Sequence, residues 1–351
     1  MRALGAANRV LVRLRRYRFT LAGLALILCT LADAVRAAEG APFPTVTLEL
    51  GKLTASFRDN SESPQVLSGV DALFSRGARY FDAFDPDTKG ASAGLNFEHI
   101  IAGHASPNNM FTPRHGKYQL FWVPGSKSVR LVRRAEDDPW KVDSTMTYTL
   151  AEPYSIDVDF RCTPRDASLF APRGYAVFFF ADYMNSVPDV ALHFRGVDAE
   201  DTAEHWITAE APPGHADYNS GGTYRHRDAA PLEYDADHNF KLNLWSYDNP
   251  RFTKPFYYGQ AFHNMVFMLM FDRDHTTEDE IRFSLFKFKL PKLSRPAWDW
   301  QYVVHHVEAG REYGFRARLV WKQFVNAADC QDDYEHWLKK LGEAHGPSQG
   351  E

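Results

Sequence analysis

The sequence predicts an all-β protein: a large antiparallel β-sandwich with one short C-terminal helix. Three observations predict it. Apolar and polar residues alternate with a period of two through much of the chain, which is the pattern of half-buried strands. Phe, Tyr and Trp make up 14% of the residues, and aromatic side chains suit a pleated surface. Turn-forming residues punctuate the alternating runs, while a helical period occurs clearly in one stretch only.

The first residues read as a targeting signal. Arg9, Arg13, Arg15, Arg16 and Arg18 precede the apolar run 19-FTLAGLALILCTLADA-34, and 35-VRA-37 suits cleavage after Ala37. The run is short for a membrane span, and no later stretch reaches the length one needs. Cys29 lacks the small residue before it that a lipoprotein signal wants, and the surroundings of Arg15-Arg16 fit a twin-arginine motif poorly. Residues 1–37 therefore read as a signal peptide. The mature chain is expected to be exported, periplasmic or extracellular, with no integral membrane segment. Removing 37 residues from 351 leaves 314, enough for one large domain. No composition shift marks a second one, so 38–345 reads as a single sandwich domain and 346–351 as a flexible tail.

Along that domain the strand candidates are 118-YQLFWV-123, 128-SVRLVR-133, 145-TMTYTL-150 and 155-SIDVDFRC-162, then 175-YAVFFFADYM-184 and 190-VALHFRG-196. Further on come 265-MVFMLMFD-272, 281-IRFSLFKFKL-290, 297-AWDWQYVVHH-306 and 313-YGFRARLVWKQF-324. Turns fall at Pro124-Gly125, Asp137-Asp138-Pro139, Pro172-Arg173-Gly174, Gly221-Gly222 and Ala309-Gly310. The one amphipathic helix is 327-AADCQDDYEHWLKKL-341, with Asn326 as its cap and Asp329 three residues on. No fixed-period repeat is present, which weighs against a propeller or solenoid. The polar segment 198–234 is the least strand-like and reads as a long loop of the kind that borders binding sites.

Charge and motifs exclude several functions. The net charge is −5 and becomes more negative once the arginine-rich leader is removed, so no basic face for nucleic acid is expected. There is no phosphate-binding glycine loop, GxSxG elbow, HExxH or CxxC pair. Cys162 and Cys330, the two cysteines left after processing, could pair in an oxidising compartment, but two distant thiols make no disulfide framework. His99, His104 and His115 lack short metal-ligand spacing, and 272-DRDH-275 with Glu278, Asp279 and Glu280 reads as a solvated acidic turn. No metal or cofactor is expected.

What remains is histidine, carboxylate, arginine and aromatic side chains spread over strands and loops, a mixture that suits carbohydrate: aromatic faces stack on sugars, and His/Asp pairs move protons. In 112-TPRHGKYQLFW-122, His115 precedes a glycine that lets backbone approach closely, and Arg114 sits beside it. In 190-VALHFRG-196, His193 and Arg195 share one strand face, either as a site for an acidic sugar or as a solvated outer face. Arg316 and Arg318 also share a face and are more simply solvated or salt-bridged, and the row Asp157, Asp159, Arg161 is most simply a polar sheet face. Trp245, Tyr247, Tyr257, Tyr258 and His263 offer stacking surface with polar tips, or else ordinary core. On 297-AWDWQYVVHH-306, strand alternation puts Trp298, Trp300 and Tyr302 on a core face and Asp299 and Gln301 on the other.

The His115-Gly116 element and the closing strands 299–304 and 307–324 resemble those of aldose 1-epimerases and the wider galactose mutarotase-like superfamily. That resemblance implies a β-supersandwich over most of the mature chain, His115 as a sugar-binding or acid group, and Asp299 as a general base. Two positions depart from the pattern. In 180-FADYMN-185, Asp182 stands where the superfamily has its second catalytic histidine, and its closing glutamate has Asp299 or Gln301 as the nearest counterpart. The expected catalytic set is thus His115, Asp299 and His193. Arg114, Arg195, Trp245, Tyr247, Tyr257, Tyr258, His263 and Gln301 are the expected substrate-binding set. The expected function is an exported epimerase, lyase or hydrolase acting on a sugar or polysaccharide; the alternative is a non-catalytic carbohydrate-binding protein of the envelope.

Overall fold

The computed structural model of the protein describes residues 41–60, 68–85, 94–106, 108, 113–114, 116–198, 202–210, 220–238, 250–287 and 295–344. The predicted leader and tail lie outside the described residues. From Phe43 onward the chain belongs to one compact unit. Its strands in chain order are β1 (Thr45–Leu50), β2 (Leu53–Arg58), β3 (Gly69–Ser75), β4 (Gly94–Ile101), β5 (Gln119–Trp122) and β6 (Ser128–Arg133). Next come β7 (Val142–Ala151), β8 (Ser155–Pro164), β9 (Ala176–Tyr183), β10 (Leu192–Val197), β11 (His205–Ala209) and β12 (Ser220–Arg225). The last are β13 (Arg251–Phe252), β14 (Phe256–Ala261), β15 (Met265–Phe271), β16 (Asp279–Lys287), β17 (Pro296–Val304) and β18 (Tyr313–Gln323), followed by the helix α1 (Ala327–Ala344).

The strands form two antiparallel sheets. One has eight strands in the order β1-β2-β3-β4-β9-β17-β16-β12; the other has ten, ordered β11-β10-β14-β15-β18-β8-β7-β6-β5 with β13 beside β10. Alternation supplies the core between them: Phe97, Phe178, Phe180, Trp298, Trp300 and Tyr302 from the first sheet meet Tyr148, Phe160, Phe267, Phe271 and Phe315 from the second. Trp300 lies parallel to Phe180 with ring centroids 4.9 Å apart, and both are fully buried. The core face expected of 297-AWDWQYVVHH-306, now β17, is therefore in the core.

Each sheet has an outer face with its own cover or chemistry. On the ten-stranded sheet, Phe256, Tyr258, Val266, Met268 and Met270 pack with Cys330, Tyr334 and Trp337 of α1. The helix starts where the sequence placed its cap: the Asn326 side chain accepts from the Asp329 amide at 2.9 Å. Cys162 and Cys330 are both free and buried, one in the inter-sheet core and one beneath the helix. No described helix is long and apolar enough to cross a membrane.

One expected loop is only partly a loop. Segment 198–234 contributes β11 and β12, the latter pairing with β16 from Ser220↔Lys287 to Arg225↔Arg282. Its glycines and polar residues hid the strand because β12 is anchored by ladder hydrogen bonds and by polar contacts such as Thr223 to Ser284, not by apolar alternation.

Candidate functional site

The outer face of the eight-stranded sheet carries a dense cluster of buried polar side chains. It begins with an irregularity in β4. Phe97 pairs with Phe180 of β9, but the next paired residue is His99, opposite Phe179, so Glu98 is the extra residue of a bulge. A bulge re-aims side chains. Here it turns both Glu98 and His99 to the outer face, where each is about 97% buried.

Glu98 is held from three sides. Arg114 donates from Nη1 to Oε1 at 2.7 Å, the Tyr183 hydroxyl donates to the same oxygen, and His99 Nε2 lies 3.4 Å from Oε2. Arg114 also has its guanidinium carbon 5.9 Å from the Tyr183 ring centre. β9 presents Tyr183 on this face while its neighbour Asp182 turns into the inter-sheet core, next to Tyr148 and Tyr257. Across β9, β17 brings Asp299 to the cluster. Its Oδ1 accepts the Asp182 amide at 2.9 Å. Two residues on, Gln301 donates to Ser284 Oγ at 2.8 Å and Thr223 Oγ1 at 3.1 Å.

Burial sets the electrostatics. It pushes Asp299 well above the usual carboxylate range, and the nearby Glu98 charge pushes the same way, against the Asp182 amide. Glu98 is also raised by burial, but Arg114 and Tyr183 offset part of that. His99 is held well below its ordinary value, first by burial and then by the Arg114 charge, so its ring is neutral at neutral pH. Tyr183 is raised by burial and by Glu98, so its hydroxyl keeps its proton. Two carboxyls with unequal environments, a phenol, an imidazole and a guanidinium together can hold, give and take protons on a bound molecule.

The expected site residues divide among several places. Arg114, Asp299 and Gln301 share this outer face. His193 and Arg195 are on the outer face of the other sheet, so the thickness of the sandwich separates His193 from Asp299. There His193 stacks on Tyr258 at 4.9 Å and lies 3.7 Å from Asp189, while Arg195 pairs with Glu204 and covers the Trp206 ring at 5.5 Å. Tyr257 is wholly inside the core, donating its hydroxyl to the Trp298 carbonyl at 2.7 Å. Tyr258 is buried against α1. His263 sits in the β14–β15 turn with φ 60° and its ring 5.0 Å from Phe81. His115, Trp245 and Tyr247 lie outside the described residues. Arg316 and Arg318 are salt-bridged to Asp272 and Asp157, as the simpler reading held.

Glu98 and Tyr183 were not nominated from sequence. The sequence signal for Tyr183 was present in 180-FADYMN-185, where alternation puts it opposite Asp182. Glu98 had no such signal, because the bulge breaks the period-two pattern. A cavity of about 420 Å³ lies elsewhere, lined among the described residues by Glu49, Thr54, Phe74, Ser75, Arg76 and Arg79.

No family model matches the chain, and no curated protein matches it. Among solved structures it is similar to a heparan sulfate lyase from Pedobacter heparinus, at 10% identity and a TM-score of 0.40, over 81% of this chain and 37% of the lyase. A mutant of that lyase matches at 9% identity with the same TM-score and coverage. A GalM/aldose epimerase homologue from C. elegans matches at 10% identity and a TM-score of 0.34, over 80% of this chain and all of that one. The chain thus spans little more than a third of the lyase's length.

Proposed function

We propose that the protein is a carbohydrate-active enzyme that moves protons on a sugar or polysaccharide at the outer face of its eight-stranded sheet. One observation carries the reading: Glu98, gripped by Arg114 and Tyr183, shares a buried face with Asp299, whose environment holds its carboxyl far above the usual range. Neighbouring carboxyls with separated pKa values are an acid–base pair. The assignment of sugar as the ligand rests on the resemblance of the His115-Gly116 element and of the closing strands.

In this reading Asp299 enters the reaction protonated and donates to an oxygen of the sugar. That reverses the base role implied by the resemblance, because burial and the Glu98 charge both favour its neutral form. Glu98, whose rise on burial Arg114 and Tyr183 partly offset, accepts a proton, with the Tyr183 hydroxyl bridging it to the ligand. Gln301, fixed by Ser284 and Thr223, offers a hydrogen bond to a sugar hydroxyl. Epimerisation, elimination and hydrolysis each need this pair of transfers, and the product separates them: an inverted centre, an unsaturated sugar or a new reducing end.

The test is a panel of neutral and acidic mono- and oligosaccharides incubated with the protein, with products read by NMR and ultraviolet absorbance. Turnover should appear with at least one member and fall about 10²-fold or more in Tyr183→Phe, the size expected when a proton-transfer group is lost. Binding without turnover across the panel would favour a carbohydrate-binding protein instead. The leader 1–37 further supports export; mature protein from the native host should begin at Ala38, and a retained leader would refute it.

A further inference from the structure

The same outer face ends, one strand-length away from Asp299, in a second cluster that the proton chemistry does not use. His305 follows β17 six residues after Asp299, which places it about 20 Å along the strand direction. Three features bring its partners to it. The segment before β16 folds back so that His275 forms an antiparallel bridge with Glu280, and the Ile281 amide donates to the Asp274 carbonyl at 2.8 Å. Glu280 pairs with Val303, and His305, two residues beyond Val303, projects on the same face. The His305 amide is tied to the Glu278 carbonyl at 2.9 Å.

The result is two imidazoles and one carboxylate whose donor atoms all lie within 4.8 Å of one another. His305 Nε2 is 3.7 Å from Glu280 Oε1. Ligands of one zinc ion stand about 2.0–2.2 Å from it, hence about 3–4 Å apart, so small side-chain rotations complete the set. Glu280 is fully buried, and while its Oε1 takes Arg282, its Oε2 accepts no hydrogen bond from a described residue. An unpartnered, wholly buried carboxylate oxygen is costly unless it meets a cation. The ring of His226 lies parallel to that of His275, with centroids 6.1 Å apart. Asp228 and Asp274, each within 4 Å of His226, supply negative charge that offsets Arg282.

We propose that His275, Glu280 and His305 bind one divalent transition-metal ion, of the zinc class. Two neutral imidazoles and a carboxylate suit Zn2+ and its neighbours, whereas Ca2+ and Mg2+ want an all-oxygen shell. His275 and His305 are half-buried rather than enclosed, which leaves a coordination position toward solvent. The ion clamps the 274–281 turn to the end of β17 and so holds the outer face from its far end.

The chain should be stripped with a chelator and titrated with Zn2+ alone by calorimetry, with Ca2+ and Mg2+ as controls. One tight equivalent of Zn2+ is expected, with at least tenfold weaker binding in the His275→Ala/His305→Ala double variant and unchanged binding in His306→Ala, the exposed neighbour. Zn2+ should raise the melting temperature of the unaltered chain and not of the double variant. Should the double variant fail to fold, His305→Asn titrated with Co2+ reads the same site through its visible absorption, which should be lost. No tight equivalent, or one whose affinity survives these substitutions, overturns the site.

Discussion

Asp299 and Trp300 are adjacent in sequence and face opposite ways, so substitutions there separate chemistry from packing. Asp299→Asn keeps the side-chain oxygen that accepts the Asp182 amide and removes only the ionisable proton. It should abolish turnover on a confirmed substrate while leaving the melting temperature at neutral pH unlowered; unfolding, or full activity, would mean the carboxyl is structural or idle. Trp300→Ala takes a fully buried ring away from Phe180, Phe271 and Phe315. Its cost should be about 3–5 kcal/mol, the range for truncating a large core aromatic, measured by denaturant unfolding. A loss near zero would show that the strand face is not core.

At the scale of an element, β4 is the strand that builds the site, and two features of its backbone do so. The bulge at Glu98 turns consecutive residues to one face. The strand's first residue, Gly94, has φ 85°, and a Cβ there would stand 1.8 Å from the Val70 carbonyl oxygen of β3. Both the conformation and the close approach demand glycine. Gly94→Ala should therefore destabilise by roughly 2–4 kcal/mol, and it should lower activity beyond what the stability loss explains, because it displaces the strand that carries Glu98. An alanine variant with unchanged activity and melting temperature would refute this role for β4.

For the molecule as a whole, buried titratable groups make stability depend on pH. Asp182 and Asp299 have folded pKa values raised well above the ordinary 3.8. The unfolded chain releases these protons first, so their stabilisation is complete below about pH 4 and is lost as pH rises toward their folded values. His99, lowered from 6.5, works in the opposite sense: its contribution is complete above 6.5 and is lost as pH falls below it. The carboxyl effect therefore makes the melting temperature decline as pH rises above about 4. Asp182 lies in the core, and neither carboxyl oxygen has a hydrogen-bond partner among the described residues. Asp182→Asn should flatten that decline, seen by thermal unfolding from pH 5 to 9; an unchanged slope would show that Asp182 does not titrate there.

The architecture was legible in the linear pattern wherever one strand face meets the core and the other meets something polar. That is why β6 and β8 could be placed; β9 and β17, buried on both faces, were legible as aromatic-rich runs, Trp298, Trp300 and Tyr302 could be assigned inward by alternation, and Asn326 could be named as the helix cap. Pattern fails where a bulge interrupts the alternation, as in β4, or where neither face is apolar, as in β12. It is also silent about which sheet a strand joins. His193 and Asp299 each sit on a plausible polar face, yet strand order puts those faces on opposite sides of the sandwich. The meeting of Glu98, Arg114, Tyr183 and Asp299 depends on β4 and β17 both pairing with β9, whose partners, such as Gly94↔Tyr183 and Val304↔Ala176, are far apart along the chain. Long-range pairing of that kind is set by the packing of two whole sheets, and no local stretch of residues encodes it.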